Sequence, residues 1–246
     1  MQTRITEIAD RIYRLSTHIA EAGPGGFTFN QFLIDAEEPL LFHTGPRNLF
    51  PSVSEAIATI VPLDRLRWIT FGHFEADECG AMNQFLAAAP DAVVAHGAVG
   101  VMVSIMDQAD RTPRALRDGE VLELGGKRVR RIDTPHVPHG WDAGLLFEET
   151  TGTLMAGDLF TRGGSFPAIT DGDILDAAIA FETQMPYTAL TARTAPTIDA
   201  LAALAPRTLA LMHNSAYTGD CAAALHDLSA WYGARFEAEL PALTSS

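Results

Sequence analysis

Short runs that alternate apolar and polar positions, with period two, take turns along this chain with longer runs of helical period. Residues 3–16 carry Ile5, Ile12, Tyr13 and Leu15 on their apolar positions and predict one or two edge strands, turning near Ala9 and Asp10. The stretch Gly23-Pro-Gly-Gly26 reads as a loop. Residues 27–35 and 39–43 read as two strands of a meander around Glu37 and Glu38. A helix is predicted over 51–61, with Pro51 at its first turn. The apolar, β-prone run 66–71 predicts a buried strand, and a helix follows at 80–89. A short buried strand at 91–95 ends at His96 and Gly97, ahead of a helix near 100–109. Residues 121–124 and 127–132 pair across Gly125-Gly126, a two-residue hairpin. Strands at 143–148 and 153–156 flank a turn at 149–152. Residues 173–204 read as mostly helical, 208–212 as a buried strand ending at His213, and 220–240 as an amphipathic helix with Leu225, Leu228 and Trp231 on one face.

Meander, helices, meander, helices: this order predicts two mixed sheets packed together with helices outside, a four-layer α/β (α+β) sandwich. The 246 residues, 47% of them hydrophobic, suffice for one large core. No Ser/Gly or Pro-rich tract separates halves and no internal repeat is visible, so the expectation is a single domain over 1–246.

Charge narrows the partners. The net charge of −14 opposes nucleic acid and anionic membranes, both of which need clustered Lys and Arg. The densest basic run, Lys127-Arg-Val-Arg-Arg131, alternates and reads as the outer face of a strand. Two cysteines, Cys79 and Cys221, make no disulfide framework and fit a reducing cytoplasm. The charged start (Arg4, Glu7, Asp10, Arg11, Arg14) is no signal peptide, and the apolar stretch 92–106 is too short and too polar to span a bilayer. A cytoplasmic protein is expected.

The chemistry concentrates where strands end. His73, Glu75, Asp77 and Glu78 fall within six residues, directly after the strand 66–71 and ahead of a helix. One imidazole and three carboxylates so close repel one another unless a cation sits among them. A solvated acidic loop capping the next helix is the plain alternative. Three further strand ends supply His139 or His136, Asp158 and His213. Each alone fits a turn or a cap; together they are the inventory two neighbouring cations need, with one carboxylate shared.

The stretch Thr150-Thr-Gly-Thr-Leu-Met-Ala-Gly-Asp158-Leu-Phe resembles the strand–turn–strand that delivers the shared Asp in the metallo-β-lactamase superfamily. Hydrolases of that superfamily carry His-x-His-x-Asp-His, whereas this chain has His73-Phe-Glu75-Ala-Asp77-Glu78. A Glu in place of the second His resembles the flavodiiron proteins and the stand-alone oxygen-binding di-iron proteins related to them. The resemblance runs from Asn30 to about Gly219. It implies two metal ions, iron foremost, with His73, Glu75 and His139 on the first, Asp77 and His213 on the second, and Asp158 bridging. His139 is preferred to His136 because its interval to Asp158 fits the superfamily and His139-Gly-Trp-Asp142 resembles the flavodiiron His-Trp-Pro-Asp segment. His136 would then support a ligand or line the pocket. Glu78 stands where the pattern usually has His, so it binds the second metal, reaches it through water, or points away. His43 ends a strand that in this superfamily often points toward the site from behind.

Carboxylate-rich N/O shells suit iron or manganese; His-rich shells suit hydrolytic zinc. The leading expectation is a di-iron centre binding O₂ or a similar small ligand, as sensor, carrier or reductase, in a pocket walled by Phe71, Phe74 and Trp141. The alternative is a metallo-hydrolase using a bridging hydroxide on an ester, lactone or phosphoester. A third reading is a signalling module with a vestigial site, of which ligand loss would be the signature. No flavin-binding segment is visible, so the resemblance implies an external electron donor or a signalling partner. It also weakens the flavodiiron reason for a homodimer. His96 is expected to satisfy a buried backbone group and His226 to lie on the surface.

Overall fold

The computed structural model describes residues 2–243. The first half of the chain supplies β1 (Arg4–Ala9), β2 (Ile12–Ile19), β3 (Phe27–Ile34), β4 (Leu40–Phe42), β5 (Trp68–Thr70), β6 (Val93–Gly97) and β7 (Arg114–Leu116). They form one sheet in that order, antiparallel through β4 and parallel thereafter. The second half supplies β8 (Val121–Glu123), β9 (Arg128–Asp133), β10 (Gly144–Glu148), β11 (Thr153–Met155), β12 (Ile169–Thr170), β13 (Thr208–Ala210) and β14 (Ala216–Tyr217). Their order is β12-β14-β13-β11-β10-β9-β8, again mixed.

Three apolar layers separate four layers of structure. Helices Phe50–Ala58 and Met82–Ala88 cover the outer face of the first sheet through Val53, Ile57, Phe85 and Leu86 against Leu33, Leu41 and Ile69. Helices Leu175–Gln184, Thr194–Ala202 and Cys221–Leu243 cover the second through Ala178, Ile198, Leu201, Leu225 and Leu228. Between the sheets Phe32, Phe42, Leu146, Met155 and Ala210 interdigitate. This is the expected αββα sandwich. No helix among the described residues is long and apolar enough to cross a membrane.

The hairpin across Gly125 and Gly126 forms as predicted, both glycines at positive φ (72° and 87°), which that tight turn demands. The β1–β2 turn lies one residue later than expected, with Arg11 at φ 55°. Strands β7, β12 and β14 went unpredicted: two or three residues show no period. The helical stretch 173–204 breaks after Gln184 because Pro186 disfavours helix at Met185. The basic run is not uniformly outward. Lys127 and Arg131 are buried, Lys127 on the Asp10 carboxylate at 2.9 Å and Arg131 with no exposure at all.

Arg131 positions a loop that matters below. Its Nε donates to Asp133 Oδ1 (3.0 Å) and its Nη2 to the Asp142 carbonyl (3.2 Å), while Asp142 Oδ2 accepts from the Phe74 amide (2.9 Å). Gly97 and Gly144 leave room for the guanidinium; a Cβ on Gly144 would collide with it. Gly144→Ala is therefore expected to cost about 1–3 kcal/mol by overpacking. The urea midpoint measures this, and an unchanged midpoint would mean that Arg131 leaves its site without loss.

Candidate metal centre

Four strand ends converge at one edge of the sandwich. The loop after β5 brings His73, Glu75 and Asp77; the loop after β9 brings His139; Asp158 follows β11 and His213 follows β13. Cross-sheet hydrogen bonds fix the two sides. Gly144 N donates to Gly72 O (2.9 Å) and Asn30 N to Met212 O (3.0 Å), and Asn30 Nδ2 donates to the carbonyls of Leu211 and Asn214 (both 2.8 Å).

Glu75 Oε2 lies 2.7 Å from His73 Nε2 and 3.0 Å from His139 Nε2. Asp158 Oδ2 stands 3.8 Å from each of the same two nitrogens. One donor atom from each of these four residues lies within 4.8 Å of every other, close enough for the four to share one metal ion. The other oxygen of Asp158 faces away from that point. Oδ1 is 3.3 Å from His213 Nε2, which is 3.3 Å from Asp77 Oδ2. Asp158 thus divides its oxygens between a four-donor and a three-donor group. Each of the three histidines turns its Nε2 toward the carboxylates of the cluster; His213 holds its orientation through Nδ1 and the Thr28 carbonyl (2.8 Å).

Electrostatics fits the same description. Among the described residues no Lys or Arg pairs with Glu75, Asp77, Glu78 or Asp158; only imidazoles do. Burial opposes charge on His73, but Glu78, Glu75 and Asp158 outweigh it and push its pKa up to about 12. Burial likewise opposes charge on His213, and Asp158 and Asp77 raise it to about 10. Hydrogen bonds from His139 and then His73 hold Glu75 well below the usual carboxylate range. Asp158 Oδ1 is buried without a hydrogen-bond partner. The cluster is a carboxylate nest that calls for cations, and the residues present fit two metal ions.

Glu78 does not reach the three-donor group. It is buried behind His73, accepts from the His73 amide through Oε2 (2.7 Å), and sets Oε1 3.2 Å from His73 Nδ1 and 3.4 Å from His43 Nε2. Burial raises its pKa, but the charge of His73 prevails and keeps it ionised. His43 is fully buried, its ring tilted against Phe42 (4.1 Å) and its pKa lowered by desolvation, and its Nε2 approaches the Glu78 carboxylate at 3.4 Å. His136 is exposed and outside the cluster. His96 meets the Asp142 carboxylate at 3.6 Å and stacks on Phe71, where a backbone partner was expected. His226 is exposed and paired with Asp199.

Of the expected apolar walls, Phe74 lines a surface cleft together with Glu75, whereas Phe71 and Trp141 need correction. Phe71 packs away from the cluster on His96, and Trp141 is exposed beside Val99 and Pro135. The rings nearest the ligands are Phe27 (4.4 Å from His213), Phe29 (5.4 Å from His213) and Tyr187 (6.0 Å from His139). The Tyr187 hydroxyl also donates to the Asp158 carbonyl (3.0 Å). Phe27 and Phe29 were readable as one face of a strand; Tyr187, on an irregular segment, carried no signal.

The ODP family beta lactamase model matches residues 27–193, and the chain belongs to that family. It is similar to the anaerobic nitric oxide reductase flavorubredoxin of Pectobacterium carotovorum, 23% identical over 55% of this chain and 27% of that protein. It is likewise similar to the rubredoxin-oxygen oxidoreductase of Megalodesulfovibrio gigas, 24% identical over 56% of this chain and 34% of that protein. Each match thus spans about a quarter to a third of the relative. Among solved structures, rubredoxin oxygen:oxidoreductase from Desulfovibrio gigas superimposes with TM-score 0.79 at 20% identity, covering 94% of this chain and 62% of that one. The metal-soaked Flv1 flavodiiron core from Synechocystis sp. PCC6803 gives 0.79 at 18%, covering 94% and 60%. The fold is that of the flavodiiron cores, the metallo-β-lactamase branch that the His73–Glu78 loop resembles.

Two sets of variants test the geometry. Asp158→Ala is expected to drop metal content below about one ion per chain, while His213→Ala retains about one of about two, by elemental analysis. Glu78→Gln keeps the shape behind His73 and removes the charge; chelator competition should show metal held about 10–100-fold more weakly. Unchanged retention in Glu78→Gln would sever Glu78 from the centre.

Proposed function

We propose that the chain holds a di-iron centre that binds O₂ or NO and reduces it with electrons from a donor outside this stretch of chain. The observation that carries the reading is Glu75, an anionic donor set directly between His73 and His139, with Asp158 divided between two donor groups. His73, Glu75, His139 and Asp158 would hold the first ion, and Asp158, Asp77 and His213 the second. Added carboxylate charge favours the ferric state and works against acidifying a bound water, so it supports redox use over hydrolysis. When bound, the two ions supply electrons to, and an anchoring point for, the diatomic ligand.

The chain's own residues do the rest. Glu78 holds the tautomer and direction of His73; the Thr28 carbonyl does so for His213. Phe27 and Phe29 pack on His213 of the second group, whose three protein donors among the described residues would leave coordination positions for a small ligand. The names of the Pectobacterium and Megalodesulfovibrio relatives, a nitric oxide reductase and an oxygen oxidoreductase, support the same pair of substrates.

Elemental analysis of protein purified without oxygen, followed by an optical spectrum on admitting air, tests the reading. The expected result is about two irons per chain with a new visible charge-transfer band on oxygenation. Full occupancy by zinc from iron-replete cells, with no spectral change, would overturn it in favour of a hydrolase. Glu75→His is expected to shift metal preference toward zinc, and unchanged iron content in that variant would count against the role given to Glu75.

A further inference from the structure

We propose that the cleft between β1–β3 and the segment 165–168 is a binding site for a small oxyanion, a carboxylate or phosphate group, held by Arg14. None of the candidate metal ligands lines this cleft, although Thr28 borders both places, its carbonyl meeting His213 Nδ1 at 2.8 Å. The strand register sets Thr6 beside Arg14, Arg4 beside Ser16, and His18 beside Thr28. On β2 the same alternation puts Arg14, Ser16 and His18 on the face that Ile12 presents to the inter-sheet core. The apolar layer therefore stops at Ile12 and Phe32 and gives way to a cleft of about 280 Å³, lined by Arg4, Arg14, Ser16, His18, Thr28 and Ser165 among others.

Arg14 is the anomaly. It is 3% exposed, yet among the described residues it pairs with no carboxylate. Its Nε is buried without a partner, and its Nη2 makes one long hydrogen bond, 3.5 Å to the Asn214 carbonyl. The Phe166 ring lies 5.8 Å from its guanidinium carbon and 5.6 Å from that of Arg162. Among the described residues no acidic side chain lines the cleft, in a chain with 31 Asp and Glu against 17 Lys and Arg. Desolvation alone brings the Arg14 pKa down to about 10, with no nearby acid to offset it. A buried guanidinium without a counter-charge is costly, and proteins otherwise pair it. Its planar fork matches the two oxygens of one carboxylate or phosphate. Arg4, exposed at the mouth, adds a second charge. Thr28 Oγ1 donates to the Gly164 carbonyl (2.8 Å), tying the covering segment to the strand floor.

The test is calorimetric titration of the full chain with inorganic phosphate and, separately, with succinate, both against chloride at matched ionic strength. Saturable binding by either probe is expected, and the stronger probe identifies the oxyanion class. Arg14→Met and Arg4→Gln should each weaken it, Arg14→Met by at least about tenfold. Arg14→Met should also melt higher than the parent in anion-free buffer, and phosphate or succinate should raise the parent's melting temperature but not the variant's. Asp158→Ala, which dismantles the metal centre, should bind the probe as the parent does. No binding by either probe below about 10 mM, equal binding by Arg14→Met, or loss of binding in Asp158→Ala alone would overturn the proposal. If Arg14→Met does not fold, Arg4→Gln binding as tightly as the parent overturns it.

Discussion

Four carboxylates, Glu75, Asp77, Glu78 and Asp158, crowd one edge of the sandwich with only imidazoles among them, and the local architecture answers to their repulsion. Two of them, Glu78 and Asp158, are buried, where unpaired negative charge is least tolerable. The fold meets this demand by bringing histidines from separate strand ends. His73 serves Glu75, Glu78 and Asp158; His139 serves Glu75 and Asp158; His213 serves Asp77 and Asp158. Such an arrangement is stable with cations present, protons at worst and metal ions at best. In the proposed centre the same charges would favour the higher oxidation state of a bound metal.

The support of those histidines is as specific as the cluster itself. Glu78 stands behind His73, the Thr28 backbone behind His213, and Arg131 steadies Asp142, whose carboxylate holds the Phe74 amide between two ligand positions. The chain departs from the flavodiiron pattern at Glu78, and the departure has a definite geometry: a charge directed at the first group, and a second group left with three donors.

Much of this was legible in the sequence. Strands long enough to show period two, the Gly125-Gly126 turn and the strand-end placing of His73, Asp158, His213 and either His136 or His139 follow from local pattern and spacing; the choice of His139 rests on the family resemblance. What was not legible depends on neighbours. Glu78 and Asp77 are adjacent in the same loop, and only the helix Ala76–Cys79 turns one toward His213 and the other back under His73. Phe71 and Trp141 belong to the right segments but face other partners. Residues 3–16 showed apolar positions at Ile5, Ile12, Tyr13 and Leu15; which polar side chains the second sheet would bury, Arg14 among them, is decided by its 165–168 segment, far along the chain. β12 and β14 exist only as partners of each other and of β13.

His73, Glu75 and Asp77 follow a strand of the first sheet, and His139, Asp158 and His213 follow strands of the second. Any ion seated there is a crosslink between the halves of the sandwich, and Asp158 is common to both fastenings. Its binding energy adds directly to the free energy of keeping the sheets together, in proportion to the logarithm of free metal over its dissociation constant. The sandwich is then a clasp whose grip would follow the metal supply of its surroundings, and a slide of one sheet on the other would pull apart the donors of both groups at once.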